Sequence, residues 1–461
     1  MPHPLALFSL EPRNERASQV VAHPCNSHLV SISNDGTPVL DVGQVQSASG
    51  DNATLATIGR SGDILVDGSS ISKIQCSFEI DRNTNMVLFH DKSHGQTSQV
   101  FGDNAVPFED GRLRRVVVHM QLNTIIGMGG SGRNLILFEL EWHCRPDKIT
   151  EKVRERQSCR LQSNPRLART ADPTPVETRI HTPGSRLPKM RWQQIGESLG
   201  AGQFGTVYQA IDLDTGRTMA AKILTRPRGP EGDRLWVVLR REVEILVRIS
   251  HIHVIDYIFS QGWEDGRAEI FIGLKEGTLA SLVLGRCAVP ERELANTVFH
   301  HMLQALDFLS VHGIIHRDLK PENILYISHR NGYHFQLGDF GVSNHQAMAA
   351  TLGAGTPLYM APEVYIGGSQ TSKADIWSLF VTILWTMNAG GFREISRNFL
   401  VYDHVKTTVL SLGNIPELSR AREMARVDPT TRASAAQMLT RCFNGEGLTT
   451  PRGQIPPIIN A

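Results

Sequence analysis

The sequence lacks any hydrophobic run long enough to cross a membrane. No apolar stretch approaches the roughly 20 residues that a spanning helix requires, and the short apolar patch at residues 5–10 has no basic segment before it, as a secretory signal would. An excess of one charge is also missing, since 47 Lys and Arg residues face 46 Asp and Glu residues. With a net charge of +1, electrostatics favours neither nucleic acid nor a membrane as a partner. We therefore expect an intracellular protein, nuclear or cytoplasmic.

Closely spaced cysteines are missing as well. The cysteines form no C-x-x-C pair and are Cys25, Cys76, Cys144, Cys159, Cys287 and Cys442. This scatter argues against a disulfide framework or a zinc site and suits a reducing compartment. With 41% hydrophobic and 20% charged residues, the composition is that of an ordinary globular protein. The length of 461 residues suggests about three domain-sized units.

What the sequence does have is a set of polar residues suited to phosphoryl transfer. The run His316-Arg317-Asp318-Leu319-Lys320-Pro321-Glu322-Asn323 is followed by Asp339-Phe340-Gly341. Asp318 is the candidate for accepting or orienting the proton of a substrate hydroxyl, and Lys320 for neutralising charge on the transferring group. Asn323 and Asp339 are candidate ligands of Mg²⁺, because amide and carboxylate oxygens suit a hard metal.

A glycine-rich segment upstream matches the pattern of a phosphate-binding loop. The segment Leu199-Gly200-Ala201-Gly202-Gln203-Phe204-Gly205-Thr206-Val207 fits G-x-G-x-x-G-x-V, and Met219-Ala220-Ala221-Lys222 follows it. Glycines allow backbone amides to approach phosphates without a side-chain clash. We predict that Leu199 to Val207, Ala220 and Lys222 bind ATP. The second match to G-x-G-x-x-G, Gly127 to Gly132, precedes no helical pattern and is interpreted as a turn.

These motifs, in this order, resemble the eukaryotic protein kinase family over roughly residues 190–443. The resemblance implies a bilobal α+β fold with ATP and Mg²⁺ as cofactors. It also implies that Lys222 holds the α- and β-phosphates and pairs with Glu242, with Glu244 as the competing partner. We prefer Glu242 because it lies three and four residues before Ile245 and Leu246, which would hold its helix against the lobe.

The finer features resemble the serine/threonine branch of that family. Lys320 and the segment 355–363, which contains Thr356, imply Ser or Thr acceptors in protein substrates. The resemblance also implies that Glu363 and Arg432 form a structural ion pair. His316 is interpreted as a packing residue under Phe340 and not as a catalytic base.

The first third of the chain has a different pattern of apolar and polar residues. Apolar and polar residues alternate over residues 73–80 and 136–142, and turn-forming clusters separate such runs. This pattern predicts an all-β sandwich.

Three segments in this region resemble the signature of a forkhead-associated (FHA) domain: Ile58-Gly59-Arg60, Ile71-Ser72-Lys73 and Asp91-Lys92-Ser93-His94-Gly95. The resemblance implies that Arg60 and Ser72 bind a phosphothreonine, with Lys73 in support, as charge-assisted hydrogen bonds to a phosphate would allow. The alternative is that Arg60 is a loop charge and Ser72 a turn residue. Gln75 stands where relatives have a structural histidine, and His94 where they have an asparagine that holds the peptide, so the fold is expected but tight peptide binding is not.

The predicted layout is therefore an N-terminal extension (1–27), an FHA-like sandwich (28–143), a basic proline-containing linker (144–189), a kinase domain (190–443) and a C-terminal tail (444–461) that we expect to be loose. The linker opens with a predicted helix at residues 147–156. The domain order resembles the FHA-containing checkpoint kinases and fungal FHA kinases. The N-terminus lacks the cluster of Ser-Gln or Thr-Gln sites that a damage kinase would modify.

Two function classes follow. The first is an active kinase recruited to phosphothreonine-containing proteins, and the second is a catalytically weak scaffold that binds phosphopeptides. For the active kinase, Arg317 beside Asp318 needs an anion from the activation segment, and we predict phosphorylated Thr351, with Ser343 and Thr356 as competitors. Thr356 is expected to stay unmodified and contact the catalytic loop. Transient self-association through phosphothreonine would bring each active site to the other copy's loop.

Overall fold

The structure is a computed structural model that describes residues 1–130, 134–145, 148–158, 189–202, 205–247, 249–285, 289–330, 332–339 and 357–458. The chain divides into two compact units. The first comprises residues 1–196 and 209–219, and the second comprises residues 197–208 and 220–461. No helix among these described residues is long and apolar enough to span a membrane.

The first unit contains two antiparallel-rich sheets. The six-stranded sheet has the order β2-β3-β1-β11-β10-β8, and the five-stranded sheet has the order β5-β4-β6-β7-β9. The strands are β1 (Phe8–Pro12), β2 (Val30–Ile32), β3 (Pro38–Val42), β4 (Thr54–Gly59), β5 (Ile64–Leu65), β6 (Cys76–Ile80), β7 (Val87–Asp91), β8 (Ser98–Phe101), β9 (Arg115–Val118), β10 (Ile125–Met128) and β11 (Ile136–Trp142). The helices are α1 (Glu15–Val21) and α2 (Ile149–Ser158).

Aromatic residues from both sheets form the core of this unit. Phe8 on β1 meets Phe78 on β6 edge to face, with 4.9 Å between ring centroids, and Phe78 lies 5.4 Å from Phe89 on β7. The three side chains are fully buried. Because side chains alternate along a strand, the residues next to Phe78, Ser77 and Glu79, face away from this core. The predicted all-β sandwich is confirmed in its coarse form.

The N-terminal boundary of the sandwich differs from the prediction. Residues 1–27 were predicted to be an extension, yet β1 lies within them and pairs with both β3 and β11. Leu7, Phe8 and Leu10 are 0% exposed. The apolar patch at residues 5–10 therefore contributes to a central strand, β1. This strand is too short for the alternation of apolar and polar residues to be recognised in the sequence.

The start of the predicted linker packs against the sandwich. Helix α2 spans residues 149–158, close to the predicted helix at 147–156. Ile149 and Val153, one turn apart on α2, are buried in the core of the first unit. The remaining linker, residues 159–188, lies outside the described part of the chain.

The second unit follows the α+β pattern predicted for it. Its small sheet has the order β12-β13-β14-β16-β15, and β17, β18 and β19 form a second sheet. The strands, of which β12 to β14 lie partly in the first unit, are β12 (Trp192–Gly202), β13 (Gly205–Asp212), β14 (Thr218–Thr225), β15 (Tyr257–Gln261), β16 (Arg267–Ile272), β17 (Gly277–Thr278), β18 (Ile324–His329) and β19 (Gly332–Leu337). The helices are α3 (Pro230–Leu246), α4 (Leu279–Leu284), α5 (Glu291–Val311), α6 (Pro362–Tyr365), α7 (Lys373–Met387), α8 (Phe392–Ile395), α9 (Tyr402–Leu412) and α10 (Ala435–Phe443).

Helix α7 runs through the centre of the helical part and is buried on nearly every side. Phe380, at a position where the kinase resemblance leads one to expect glycine, is 0% exposed and fills this core. The hydroxyls of Thr382 and Thr386 donate to backbone carbonyls one turn earlier, at 2.9 and 2.8 Å. A helix that is buried all round can hold such hydroxyls because each finds a partner on its own backbone.

The predicted ion pair between Glu363 and Arg432 is present. Two parallel hydrogen bonds of 2.7 and 2.8 Å join the guanidinium to the carboxylate. The Arg432 side chain is fully buried and also donates to the carbonyls of Arg426, Lys373 and Val427. A buried pair with all its donors satisfied braces the fold, because loss of either partner would leave a bare charge in the core.

The C-terminal segment is packed, not loose, over residues 444–458. Asp307, a buried carboxylate on α5, accepts hydrogen bonds from the backbone N–H groups of Thr449 and Thr450 at 2.8 and 2.9 Å. Gln437 on α10 donates to the carbonyl of Pro456 at 2.9 Å. The segment has no periodic apolar pattern, so the sequence contained no signal for contacts that depend on partners elsewhere in the chain.

Candidate active site

The catalytic loop brings three predicted site residues into contact. The Asp318 carboxylate accepts a hydrogen bond from Lys320 Nζ at 2.7 Å and another from Asn323 Nδ2 at 2.8 Å. Asn323 Nδ2 also donates to the Asp318 carbonyl at 2.7 Å. These bonds hold the carboxylate in one orientation. Since the Asn323 amide nitrogen is committed to Asp318, the amide oxygen is the atom that it can offer a metal.

The hairpin of β18 and β19 places the two predicted metal ligands at one end. Ile324, at the start of β18, is the register partner of Leu337, at the end of β19. Asn323 therefore precedes one strand and Asp339 follows the other on the same side. The Gly338 N–H donates to the Asn323 carbonyl at 2.8 Å, which closes this end. Both residues present oxygen ligands, which are the donors that Mg²⁺ takes.

Lys222 on β14 reaches the same place. Its ammonium group forms an ion pair and hydrogen bond with the Asp339 carboxylate. Partial desolvation of Asp339 opposes its ionisation, but Lys222, with His316 and Lys320 nearby, outweighs this effect and lowers the pKa of Asp339. Asp339 is therefore held as a carboxylate, the form that binds a metal.

A buried carboxylate on α7 anchors the catalytic loop. Asp375 accepts the backbone N–H groups of His316 and Arg317, each at 2.8 Å. Burial raises the pKa of Asp375, and these N–H groups supply the hydrogen bonds that a buried carboxyl needs. Sequence reasoning missed Asp375 because its partners lie 58 and 59 positions away.

His316 serves the fold of this loop. It is 2% exposed, and its Nε2 lies 2.8 Å from the Gly338 carbonyl. Arg317 and Asp339 both have positive φ angles, 71° and 57°. Such angles are uncommon outside glycine and cost energy, and they cluster where function demands a fixed geometry. The predicted contact of His316 with Phe340 lies outside the described residues.

The glycine-rich segment connects β12 and β13. At Gly205 a Cβ atom would lie 2.0 Å from the backbone oxygen of Ile223. Only glycine permits that approach between β13 and β14, so this glycine serves strand packing as well as the predicted phosphate loop. Gln203 and Phe204 lie outside the described residues.

Comparison with known proteins agrees with this geometry. Residues 193–444 match the protein kinase domain family. The chain belongs to the protein kinase family. Among its relatives are mitogen-activated protein kinase kinase kinase 2 of Arabidopsis thaliana, 32% identical over 238 residues, which are 48% of this chain and 35% of that protein, and the cytokinesis protein sepH of Aspergillus terreus, 31% identical over 229 residues, 49% of this chain and 16% of that protein.

A third relative is the SNF1-related protein kinase catalytic subunit alpha KIN12 of Arabidopsis thaliana, 32% identical over 262 residues, 55% of this chain and 51% of that protein. The chain thus spans about half or less of the length of these curated relatives. The family match and these relatives agree on a protein kinase domain in this chain.

Several predicted kinase residues stay predictions. Glu242 lies on α3, but its side chain is outside the described residues, as are Thr351 and Thr356. The pairing of Lys222 with Glu242 and the phosphorylation of the activation segment are therefore untested. Leu199 at the edge of the predicted nucleotide loop is 53% exposed.

In the first unit, the loops that carry the predicted phosphothreonine ligands are joined to each other. Arg60 N–H donates to the Ser72 carbonyl at 3.1 Å, and Ser61 N–H donates to the Lys73 carbonyl at 2.9 Å. The Arg60 side chain donates through Nε to the Ile71 carbonyl at 2.7 Å. The structure therefore brings Arg60, Ser72 and Lys73 to one end of the sandwich.

Gln75 ties these loops to the third predicted segment. It is fully buried, its Oε1 accepts the Ser72 N–H at 3.0 Å, and its Nε2 donates to the hydroxyls of Thr97 and Ser98 at 2.9 and 3.1 Å. Its carbonyl accepts the Lys92 N–H at 3.0 Å. A glutamine offers both donors and an acceptor, so it can hold the place where a structural histidine was expected.

Proposed function

We propose that this protein is an ATP-dependent serine/threonine protein kinase that uses Mg²⁺. The observation that carries the proposal is the cluster in which Asp318, Lys320 and Asn323 contact one another while Lys222 contacts Asp339. When bound, Mg-ATP supplies the phosphoryl group, and the metal offsets its negative charge.

Each side chain has its own task in this proposal. Asp318 orients the hydroxyl of the acceptor Ser or Thr and takes its proton, while Lys320, 2.7 Å away, neutralises charge on the transferring group. Lys222 binds the α- and β-phosphates. Asn323 and Asp339 offer oxygen atoms to the metal. Asp375 is a positioning residue, since it acts only through the backbone of the catalytic loop.

The assay is phosphate transfer by the full chain to a generic Ser/Thr protein substrate, with Mg-ATP and with the metal removed by a chelator. We expect transfer only when Mg²⁺ is present, with the product phosphorylated on Ser or Thr. No transfer by folded protein that still binds phosphopeptides would contradict the proposal and favour the second function class, a catalytically weak scaffold.

We also propose that the sandwich recruits phosphothreonine-containing proteins, as FHA domains do. Support comes from the junction of the Arg60 and Ser72 loops and from the Arg60 guanidinium, which no ion pair joins to a carboxylate among the described residues. An arginine fork without a carboxylate partner can accept a phosphate. The setting that we propose is phosphorylation-dependent intracellular signalling, in line with the resemblance to FHA-containing checkpoint and fungal kinases. The exposed His94, in place of an asparagine, predicts modest affinity.

The test is a binding titration of the full chain with paired peptides that differ only in phosphorylation of one threonine. A preference for the phosphorylated form supports recruitment. Equal binding of both forms across a diverse set of peptides would mean that the sandwich does not read phosphate.

A further inference from the structure

The outer face of the five-stranded sheet in the first unit carries an unexpected apolar surface. Val116, Val117 and Val118 follow one another on β9, and alternation sends Val116 and Val118 into the sandwich core and Val117 away from it. Val117 is nevertheless 1% exposed, and its cross-strand partner Leu88 is 6% exposed. A strand that is apolar on both faces is a strand that is covered on both faces.

Residues 209–219 provide that cover. They form the turn between β13 and β14 with the adjoining strand ends, and they belong to the first compact unit although they lie within the kinase family match. We call them the docking hairpin. Ile211 and Leu213 of this hairpin cluster with Leu88, Val117 and Leu122, and they are 3% and 4% exposed.

Backbone hydrogen bonds continue the contact. The Leu213 carbonyl accepts the Val117 N–H at 2.9 Å, and the Leu213 N–H donates to the Arg191 carbonyl at 2.9 Å. Strand β9 is the last strand of its sheet. The hairpin therefore satisfies part of an edge that would otherwise expose unpaired backbone groups.

A polar clamp surrounds this apolar contact. Asp214 accepts hydrogen bonds from Arg112, at 3.2 Å, and from Arg191, whose Nε lies 3.0 Å away. The three side chains are only 9–10% exposed. Arg115 Nε adds a bond of 3.0 Å to the Asp214 carbonyl. Glu109 also pairs with both guanidinium groups, 2.5 Å from Arg112 and 3.9 Å from Arg191, but its side chain is 54% exposed. Asp214 is therefore the nearly buried carboxylate of the clamp, and its loss would weaken the balance between two nearly buried cations.

We propose that the docking hairpin is a latch, with Asp214 as its central residue, that fixes residues 209–219 of the kinase family match to the sandwich of the first unit. In this arrangement Ile211 and Leu213 depend on the sandwich for cover. The strand that leaves the hairpin, β14, carries Lys222 four residues after Thr218 at its start. The latch consequently steadies the strand that presents the phosphate-binding lysine.

The distribution of apolar and charged side chains on the outer face of the sheet indicates a specific contact with the hairpin. Beyond the covered strip the same face is polar: Glu79 pairs with Lys92 at 2.7 Å and accepts the Ser77 hydroxyl at 2.8 Å. Apolar residues occur where the hairpin lies, and charged residues occur beside it. This division is what an interface with a hydrophobic centre and a polar rim requires.

Hydrogen exchange of the full chain, read by mass spectrometry, tests the latch without relying on kinase activity or on phosphopeptide binding. In the unaltered protein, the amides of Val117 and Leu213 should be as protected as those in the centre of β7. Asp214→Asn should speed exchange of residues 209–219 and 115–118 roughly 100-fold, because it removes the nearly buried carboxylate between two cations and leaves them only the exposed Glu109. The matched control is Asp233→Asn, which breaks an exposed pair with Arg226 and should change exchange by less than about fivefold.

A second variant, Leu213→Ala, removes apolar cover without altering any charge and should speed exchange of the same segments roughly tenfold. If Asp214→Asn fails to fold, Leu213→Ala still tests the latch. The latch is wrong if Val117 and Leu213 exchange as fast as open turns in the unaltered protein, or if Leu213→Ala leaves both segments unchanged. If the exchange rate of either variant rose evenly over the whole chain, including β18 and β19, the effect would not be local and the latch would be wrong.

Discussion

The catalytic loop and the loops that carry Arg60 and Ser72 hold their charges in opposite ways. In the catalytic region two acids each face a cation: Asp318 faces Lys320, and Asp339 faces Lys222. In the sandwich, Arg60 is held by a backbone carbonyl. The comparison teaches that the proposed transfer site balances its acids with its own cations, whereas the proposed phosphate-binding site leaves its arginine without a carboxylate among the described residues.

The largest effect should come from the acid at the centre of the catalytic cluster. Asp318→Asn should reduce turnover at least about 10²-fold, because the loss of a positioned base has effects of that size, while ATP binding is largely spared. Steady-state phosphate transfer and nucleotide titration measure the two quantities. Asp403→Asn, which breaks an exposed pair with Lys406 on α9, is the control and should keep full turnover.

Asp339→Ala should differ from Asp318→Asn, because it removes a candidate metal ligand. It should therefore weaken Mg-ATP binding as well as turnover. Wild-type turnover in Asp318→Asn would show that Asp318 is not the catalytic acid-base residue and would remove one half of the comparison.

The next effect tests the unpaired arginine of the sandwich. Arg60→Ala should abolish the preference for phosphothreonine over threonine peptides, a loss of roughly 10- to 100-fold in affinity for the phosphorylated form, because charge-assisted hydrogen bonds are lost. Calorimetry with paired peptides measures it. Arg82→Ala, an exposed arginine in the turn between β6 and β7 at the other end of β6, should behave as the unaltered protein.

A link between the two regions is the third prediction, and it rests on the sequence alone because Thr351 lies outside the described residues. Phosphorylation of Thr351 would give Arg317 an anion, and self-association through phosphothreonine would supply the second copy in trans. Phosphosite mapping after incubation with ATP at several protein concentrations should show a rate per molecule that rises with concentration. Full activity of Thr351→Ala, or a rate that dilution leaves unchanged, would contradict it.

The smallest expected effect concerns acid stability. Between the loop after α3, helix α5 and β19, the rings of His253, His301 and His334 stack, with His253 at 4.0 and 4.7 Å from the other two. Burial, with the neighbouring histidines, lowers the pKa of His253 to about 4 and that of His301 to about 3. Both values lie below the ordinary value near 6.5 of an unfolded chain.

Because the folded state disfavours the charged rings, their contribution is complete above about pH 6.5 and is lost as the pH falls toward these lowered values. After allowance for partial solvent exposure, we expect the free energy of unfolding to be roughly 2 kcal/mol lower at pH 5 than at pH 7. Denaturant titration measures it. His301→Gln should flatten this pH dependence, and an unchanged slope would rule out the stacked rings as its source.

Residue chemistry allowed a candidate active site to be named from the sequence. Phosphoryl transfer requires a base, cations and oxygen ligands, and the residues that supply them occur at short, fixed spacings within two runs, so Asp318, Lys320, Asn323 and Asp339 could be named without coordinates. Alternation likewise predicted the sandwich. The strand at residues 8–12 escaped because five residues carry little periodic signal, and Asp375 escaped because its partners lie far away in the chain.

Sequence was therefore sufficient for the family and for the division into a β-rich part and a kinase part, since each depends on residue types at local spacing. Tertiary structure alone decided the C-terminal packing on Asp307, the hydrogen bonds of the buried Gln75 and the clamp on Asp214. Arg112 and Asp214 are 102 positions apart. The pairing of such distant charges depends on how the chain folds back on itself, and a local sequence pattern cannot predict it.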